Sequence, residues 1–354
     1  MLALSGRPKF DAPVLIEPEI SKKDILEVLG AFGLRDAQVT FLPSGDANSA
    51  VYPVSAGGRR YLLKLRCGDF AEIAATIPVF LRSKGLVRIM APIASAAGRP
   101  WIRANSFDWM LYPWFEGKTG FESPLSETQW VALGETMRQV HTVTVPTKLA
   151  ARVPRESLSA RYRDAVRGLD AQVSEQRRCE HPTAEQFAAF WARRRGDIWT
   201  VLKRAEQLAR AIPDRAGAPV LCHSDLHAGN VLVDTTGQIT IVDWDNPVFA
   251  RKERDLMFVG GGVGGAWNNP HEREWFFRGY GPADIDLIAI TFYRYERIVI
   301  DLAEYGQRIM DPKRRAEDRE HSLRKLATGF EPGNVVDMAH RSYLALGQPV
   351  STHL

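Results

Sequence analysis

Residues 220–245 read VLCHSDLHAGNVLVDTTGQITIVDWD. Two short β-type runs, VLVD at 231–234 and ITIVD at 239–243, flank the polar turn TTGQ, the pattern of a β-hairpin. Centring the hairpin between Thr236 and Gly237 sets Asn230 opposite Asp243, with Asp225 in the loop just before the hairpin. An Asn carbonyl and an Asp carboxylate are hard oxygen donors. They suit magnesium, which takes few ligands from protein and leaves the rest to phosphates and water. A third carboxylate kept clear of the metal can accept a hydroxyl proton. Asn230 and Asp243 are therefore the expected metal ligands, and Asp225 the expected catalytic group.

Protein kinases divide the work of phosphoryl transfer in this way, with one Asp as base and an Asn and a second Asp on metal. Two features depart from their pattern. Asp243-Trp244-Asp245 stands in place of Asp-Phe-Gly, and HSDLHAGN (223–230) carries a second His, His227. In this form the segment resembles the aminoglycoside phosphotransferase and choline kinase superfamily. VLCHSDLHAGNVLV, DWDNPVFARKERDLMFVGGGVGGAWNNPHE and YRYERIVIDLAEYGQ resemble its spectinomycin-phosphorylating branch, the 9-O-phosphotransferases. The likeness is strong over residues 216–310, weaker in the N-terminal half and loose over 140–215.

The resemblance implies a bilobal, protein-kinase-like α+β fold with a β-rich first lobe and a mainly helical second one. It implies ATP as donor, Mg2+ as cofactor and a small cationic aminocyclitol such as spectinomycin as acceptor, with antibiotic inactivation as the outcome. It also places a nucleotide clamp in the first lobe. Lys64, in the alternating run YLLKL, would reach the α- and β-phosphates, and Glu72 on the next helix would orient it. The turn FLPSGDANSAVYPV, with Ser44, Gly45, Asp46 and Asn48, would cover the phosphates through backbone N–H groups, although it lacks Gly-x-Gly-x-x-Gly. Tyr112 and Trp114 would lie at a hinge and offer backbone groups to adenine. His223 and His227 are expected to brace the loop rather than to react.

The rest of the chain has a matching texture. SKKDILEVLGAFGL (21–34) reads as an amphipathic helix capped by Ser21. Runs at 37–42, 50–54 and 60–66 read as strands of an antiparallel sheet, followed by a helix over 70–84 broken at Pro78. Further β runs fall at 87–90, 99–103 and 109–114. From there helical patterns dominate, including 126–141, with a capping box of Ser126 and Gln129, and 183–211. The expected division is a nucleotide-binding lobe over 1–112, a hinge over 113–117 and a catalytic and substrate-binding lobe over 118–354.

A cationic, hydroxyl-rich acceptor calls for an acidic pocket with aromatic walls. The candidates are Asp245, Trp267, Glu296, Asp301 and Glu304. The run YRYERIVIDLAEYG puts Arg297, Asp301 and Glu304 on one helical face, which could line a pocket or simply carry ion pairs.

Two glycine motifs mislead. Gly260–Gly265 fits Gly-x-Gly-x-x-Gly, but it follows a helical run rather than a strand, and no βαβ unit surrounds it. It reads instead as a flexible loop near the acceptor. Gly117-Lys118-Thr119 ends like a Walker A motif, but Tyr112 stands where that motif needs Gly. Composition limits the remaining classes. The net charge of +4 is mild, and the clusters Arg193–Arg195 and Lys313–Arg315 are short and mixed with acids, so no nucleic-acid partner is expected. Three unpaired-looking cysteines (Cys67, Cys179, Cys222) fit a reducing, cytoplasmic setting, and no apolar stretch suggests a membrane partner. Two other functions stay open: a metabolic kinase of the same superfamily acting on choline, homoserine or a sugar, and a nucleotide-binding pseudokinase module. The run 251–310 argues against the first; intact Lys64, Asp225, Asn230 and Asp243 argue against the second.

Overall fold

Ser21 opens the first helix, Lys22–Ala31, by accepting the Asp24 N–H on its hydroxyl at 3.1 Å. The computed structural model describes residue 17 and residues 20–42, 49–66, 71–175, 181–212 and 217–347. Within these the chain forms two compact units. One is built from the chain up to Ser123 together with Gly229–Pro247, the other from Pro124–Ala228 and Val248–Leu354.

The first unit rests on an antiparallel sheet. Among the described residues its strand order is Gln38–Val39, Ser49–Ala56, Arg59–Arg66, Phe107–Pro113, Ile102–Ala104. Strand alternation sends Leu63 and Leu65 into a core with Tyr52, Val54, Trp109 and Leu111, closed by Ile25, Val28 and Leu29 of the first helix. Lys64 and Arg66 consequently share the opposite face of their strand. The helix Ile73–Ser83 runs unbroken through Pro78, against expectation. Its buried Ile73, Ala74, Ala75, Ile77, Phe80 and Leu81 show tertiary packing overriding the lost hydrogen bond. The expected strand at 87–90 is reduced to a single bridge between Ile89 and Ile241.

The hairpin read from residues 231–243 is present in this unit, paired with Gly117–Thr119, but its register differs by one residue. Val231 faces Ile241, and Val233 faces Ile239. The cause is the turn. Gly237 N–H donates to the Asp234 carbonyl, Asp234 N–H donates to the Gln238 carbonyl, and Gly237 adopts φ 83°. That is a three-residue loop centred on Thr236, with a glycine in the left-handed conformation, rather than an even turn. Val242 N–H donates to the Asn230 carbonyl at 2.9 Å, so Asp243 lies one step beyond the pairing with Asn230. Both residues remain at the open end of the hairpin.

The second unit is mainly helical. The 24-residue helix Leu287–Met310 packs against Arg161–Glu175, Pro182–Ala211, Ala316–Thr328 and Val335–Ala345. It buries Phe292, Tyr293, Tyr295, Val299 and Leu302. The capping box is present: the Ser126 hydroxyl accepts from Gln129 N–H, and Gln129 Oε1 accepts from Ser126 N–H at 2.8 Å. Within the glycine run 260–265, Gly262 is closely packed, whereas Gly264 and Gly265 are exposed. A Cβ on Gly262 would stand 2.6 Å from the Gly333 carbonyl oxygen, and Arg294 ties down the carbonyls of Met257 (3.0 Å) and Val259 (2.7 Å).

The helices Glu127–Thr142 and Pro270–Tyr280 touch backbone to backbone. A Cβ on Gly279 would fall on the Val131 carbonyl, and one on Gly134 on the Phe276 carbonyl. Gly279→Ala should therefore force the helices apart and destabilise the protein by about 1–3 kcal/mol, lowering the melting temperature read by circular dichroism. An unchanged melting temperature would show that this crossing yields freely.

Candidate active site

In the first unit the expected clamp residues form a compact ion cluster. Lys64 Nζ donates to Asp243 Oδ1 and to Asp245 Oδ2, each at 2.9 Å, and Arg66 Nη1 also pairs with Asp245 Oδ2. Burial alone would lower the Lys64 ammonium. The charges of Asp243 and Asp245 outweigh it and hold the group well above the ordinary lysine value, so Lys64 is cationic at neutral pH. Asp243 sits at φ 63°, a left-handed conformation uncommon outside glycine, which points to a functional constraint at this position. Asn230 is buried at the same end of the hairpin. Asn230 and Asp243 together offer the amide and carboxylate oxygens that a magnesium ion favours, so the donor set fits that ion.

Glu72 is not among the ion-pair partners of Lys64. It stands just before the helix Ile73–Ser83, where its carbonyl accepts from the Thr76 hydroxyl at 2.8 Å. Tyr112 lies in the strand Phe107–Pro113 opposite Leu62, and its hydroxyl donates to Met110 Sδ at 3.3 Å. Trp114 stacks under the Arg60 guanidinium at 3.8 Å and donates to Glu116 at 2.9 Å. Ser44, Gly45, Asp46 and Asn48 lie outside the described residues.

In the second unit Asp225 is fixed by charge. Arg297 Nη1 donates to Asp225 Oδ1 at 2.6 Å, while Arg297 Nε reaches Asp301 at 3.1 Å. His227 Nε2 stands 3.7 Å from Asp225 Oδ2. Burial works to raise the Asp225 carboxyl; Arg297, His227 and His223 outweigh it and hold it below the usual carboxylate range. Asp225 is thus an anion throughout the neutral range. The remaining acidic candidates have partners: Glu296 pairs with Arg163 at 2.6 Å, and Glu304 with Arg308 at 3.5 Å. Trp267 is no open wall. It is buried edge-on against Trp130, ring centroids 4.8 Å apart.

The loop that presents Asp225 hangs on a residue that sequence reading missed. Asp255 is fully buried. Its carboxylate accepts the main-chain N–H groups of His223 (2.8 Å) and Ser224 (2.7 Å) and the Nε2–H of His141 (3.1 Å). His141 in turn meets the Tyr280 hydroxyl at 2.7 Å. Ser224 is held at φ 74°, and Asp225 N–H donates to His223 Nδ1 at 3.2 Å. The bracing expected of His223 is therefore a specific hydrogen bond. The one sequence signal for Asp255 was a carboxylate directly before the apolar run LMFV.

Residues 38–289 match the model of the phosphotransferase enzyme family, so the chain belongs to that family. A crystal structure of spectinomycin phosphotransferase in complex with ADP and spectinomycin is 34% identical, covers 92% of this chain and 99% of its own, and superposes with a TM-score of 0.85. An AMP-bound structure of the same enzyme is 33% identical, with coverages of 93% and 100% and a TM-score of 0.82. Protein StrN of Streptomyces griseus is 25% identical over 242 residues, 68% of this chain and 70% of its own. The chain is accordingly an O-phosphotransferase with the kinase-like α+β fold of the aminoglycoside phosphotransferases.

Asp255 supplies a pH test. Burial would raise its carboxyl, but the bonds from His141 and the main chain hold it below the ordinary 3.8. A depressed folded value adds stability that is complete above the unfolded value and disappears as pH falls through the folded one. Asp255→Asn should lose about 2–3 kcal/mol near pH 7, measured by urea unfolding. The gap from wild type should narrow below about pH 4. A gap independent of pH would rule out this role for the charge.

Proposed function

We propose that this enzyme transfers the γ-phosphoryl group of ATP to a hydroxyl of spectinomycin or a closely related aminocyclitol, inactivating the antibiotic in the cytoplasm. The observation that carries this reading is the likeness to spectinomycin phosphotransferase, at 34% identity over nearly the full length of both chains. The residues support it. Lys64 presents a permanent cation for the α- and β-phosphates. Asn230 and Asp243 would hold magnesium, which when bound neutralises charge on the phosphates.

Asp225 takes the acceptor. Its carboxylate is anchored through Oδ1 by Arg297, which fixes the direction in which it would accept the substrate hydroxyl. A carboxylate kept this acidic is a weak base, so it orients the hydroxyl and receives the proton late, as the bond to phosphorus forms. Catalysis then comes chiefly from positioning and fixed charge. Asp301 and Glu304 share the helix of Arg297, and they would supply negative charge for the cationic groups of the acceptor.

Asp225→Asn should lower kcat by about 10²–10⁴-fold while ATP still binds, read from ADP release with spectinomycin as acceptor. Mass spectrometry of spectinomycin, other aminoglycosides and choline after incubation with ATP and magnesium should show one added phosphoryl group on spectinomycin. Phosphorylation of choline instead would establish the metabolic-kinase alternative. Turnover close to wild type in Asp225→Asn would overturn the assignment of that residue.

A further inference from the structure

Lys64 and Arg66 lie two residues apart on one face of the strand Arg59–Arg66, so their charges repel across the pleat. Asp245 lies between them and bonds to both. The two carboxylates that hold Lys64 differ in environment. The Asp243 side chain is 43% exposed, whereas Asp245 is 11% exposed and has the second cation. Asp243 is also the carboxylate that magnesium would claim, and an ion there competes with Lys64 for its oxygens. Asp245 is therefore the partner able to keep Lys64 in place when nucleotide and metal arrive. Glu72, which a protein-kinase pattern would assign to that task, makes no ion pair with Lys64.

We propose that Arg66 is a positioning residue of the nucleotide site. It pins Asp245, and Asp245 aims the Lys64 ammonium while Asp243 is released to metal. In this enzyme the Arg66–Asp245 pair would do what a helix glutamate does for the equivalent lysine of a protein kinase. The inference rests on the reading of this cluster as the ATP site.

The test is titration with a fluorescent N-methylanthraniloyl ATP in magnesium chloride, with no acceptor present, followed by steady-state kinetics. Arg66→Met should raise the nucleotide Kd and the KM for ATP about tenfold, leaving the KM for the acceptor unchanged. Arg66→Lys should recover most of the affinity, and Glu72→Gln should bind as wild type does. Asp245→Asn should resemble Arg66→Met, and the double variant should be little worse than either, because both act through one link. Asp245→Asn and Arg66→Lys also keep the question answerable if Arg66→Met folds poorly. Wild-type affinity in Arg66→Met, additive losses in the double variant, or an equal loss in Glu72→Gln would each overturn the proposal. Failure of the wild-type protein to bind the nucleotide would overturn the ATP-site reading, and this inference with it.

Discussion

A carboxylate with no exposure to water, Asp255, accepts two successive main-chain N–H groups and one imidazole N–H. An ion buried this deeply is tolerable only when its lone pairs are filled, and here they are. In exchange it fixes a backbone that would not hold itself. Ser224 stays in a left-handed conformation, and the next residue, Asp225, is delivered with its amide on His223. His141 and Tyr280 extend the restraint to the helices Glu127–Thr142 and Pro270–Tyr280, whose glycines let their backbones meet. The helix crossing, the buried ion and the loop carrying Asp225 thus form one mechanical chain.

The two units solve a common problem differently. Each holds an aspartate against a cation and so controls its direction. In the second unit Asp225 is restrained by one guanidinium, itself shared with Asp301, with His227 beside its other oxygen. In the first unit two carboxylates share one ammonium, and a further guanidinium reinforces the more buried of them.

Much of this was legible in the sequence because it is written in local patterns. Leu63 and Leu65 alternating with Lys64 defined the strand; Ser126 with Gln129 marked a helix start; His223 to Asp243 combined rare residue types at fixed spacing. What escaped reading depended on contacts distant along the chain. Asp255 and His141 meet across 114 residues, Lys64 and Asp245 across 181. No periodicity reports such a meeting. Trp267 looked like a pocket wall because an aromatic side chain reads alike in a core and in a cleft. The hairpin register failed by one residue because a turn's length is decided by where its left-handed glycine falls, and Gly237 allowed an odd loop.

The first unit is not a continuous stretch of chain, and this bears on its biogenesis. Its sheet and first helix are synthesised early, yet the hairpin carrying Asn230 and Asp243 emerges only after all of Pro124–Ala228 has left the ribosome. Until then Gly117–Thr119 has no strand to pair with, Met90 N–H lacks the Ile241 carbonyl, and Lys64 lacks both counter-ions. Joining ends so distant carries a loop-closure penalty that local contacts cannot relieve. The ordering of synthesis therefore makes the lysine–aspartate cluster a late product of folding, and a nascent chain stopped before the hairpin would carry its lysine without the acids that complete it.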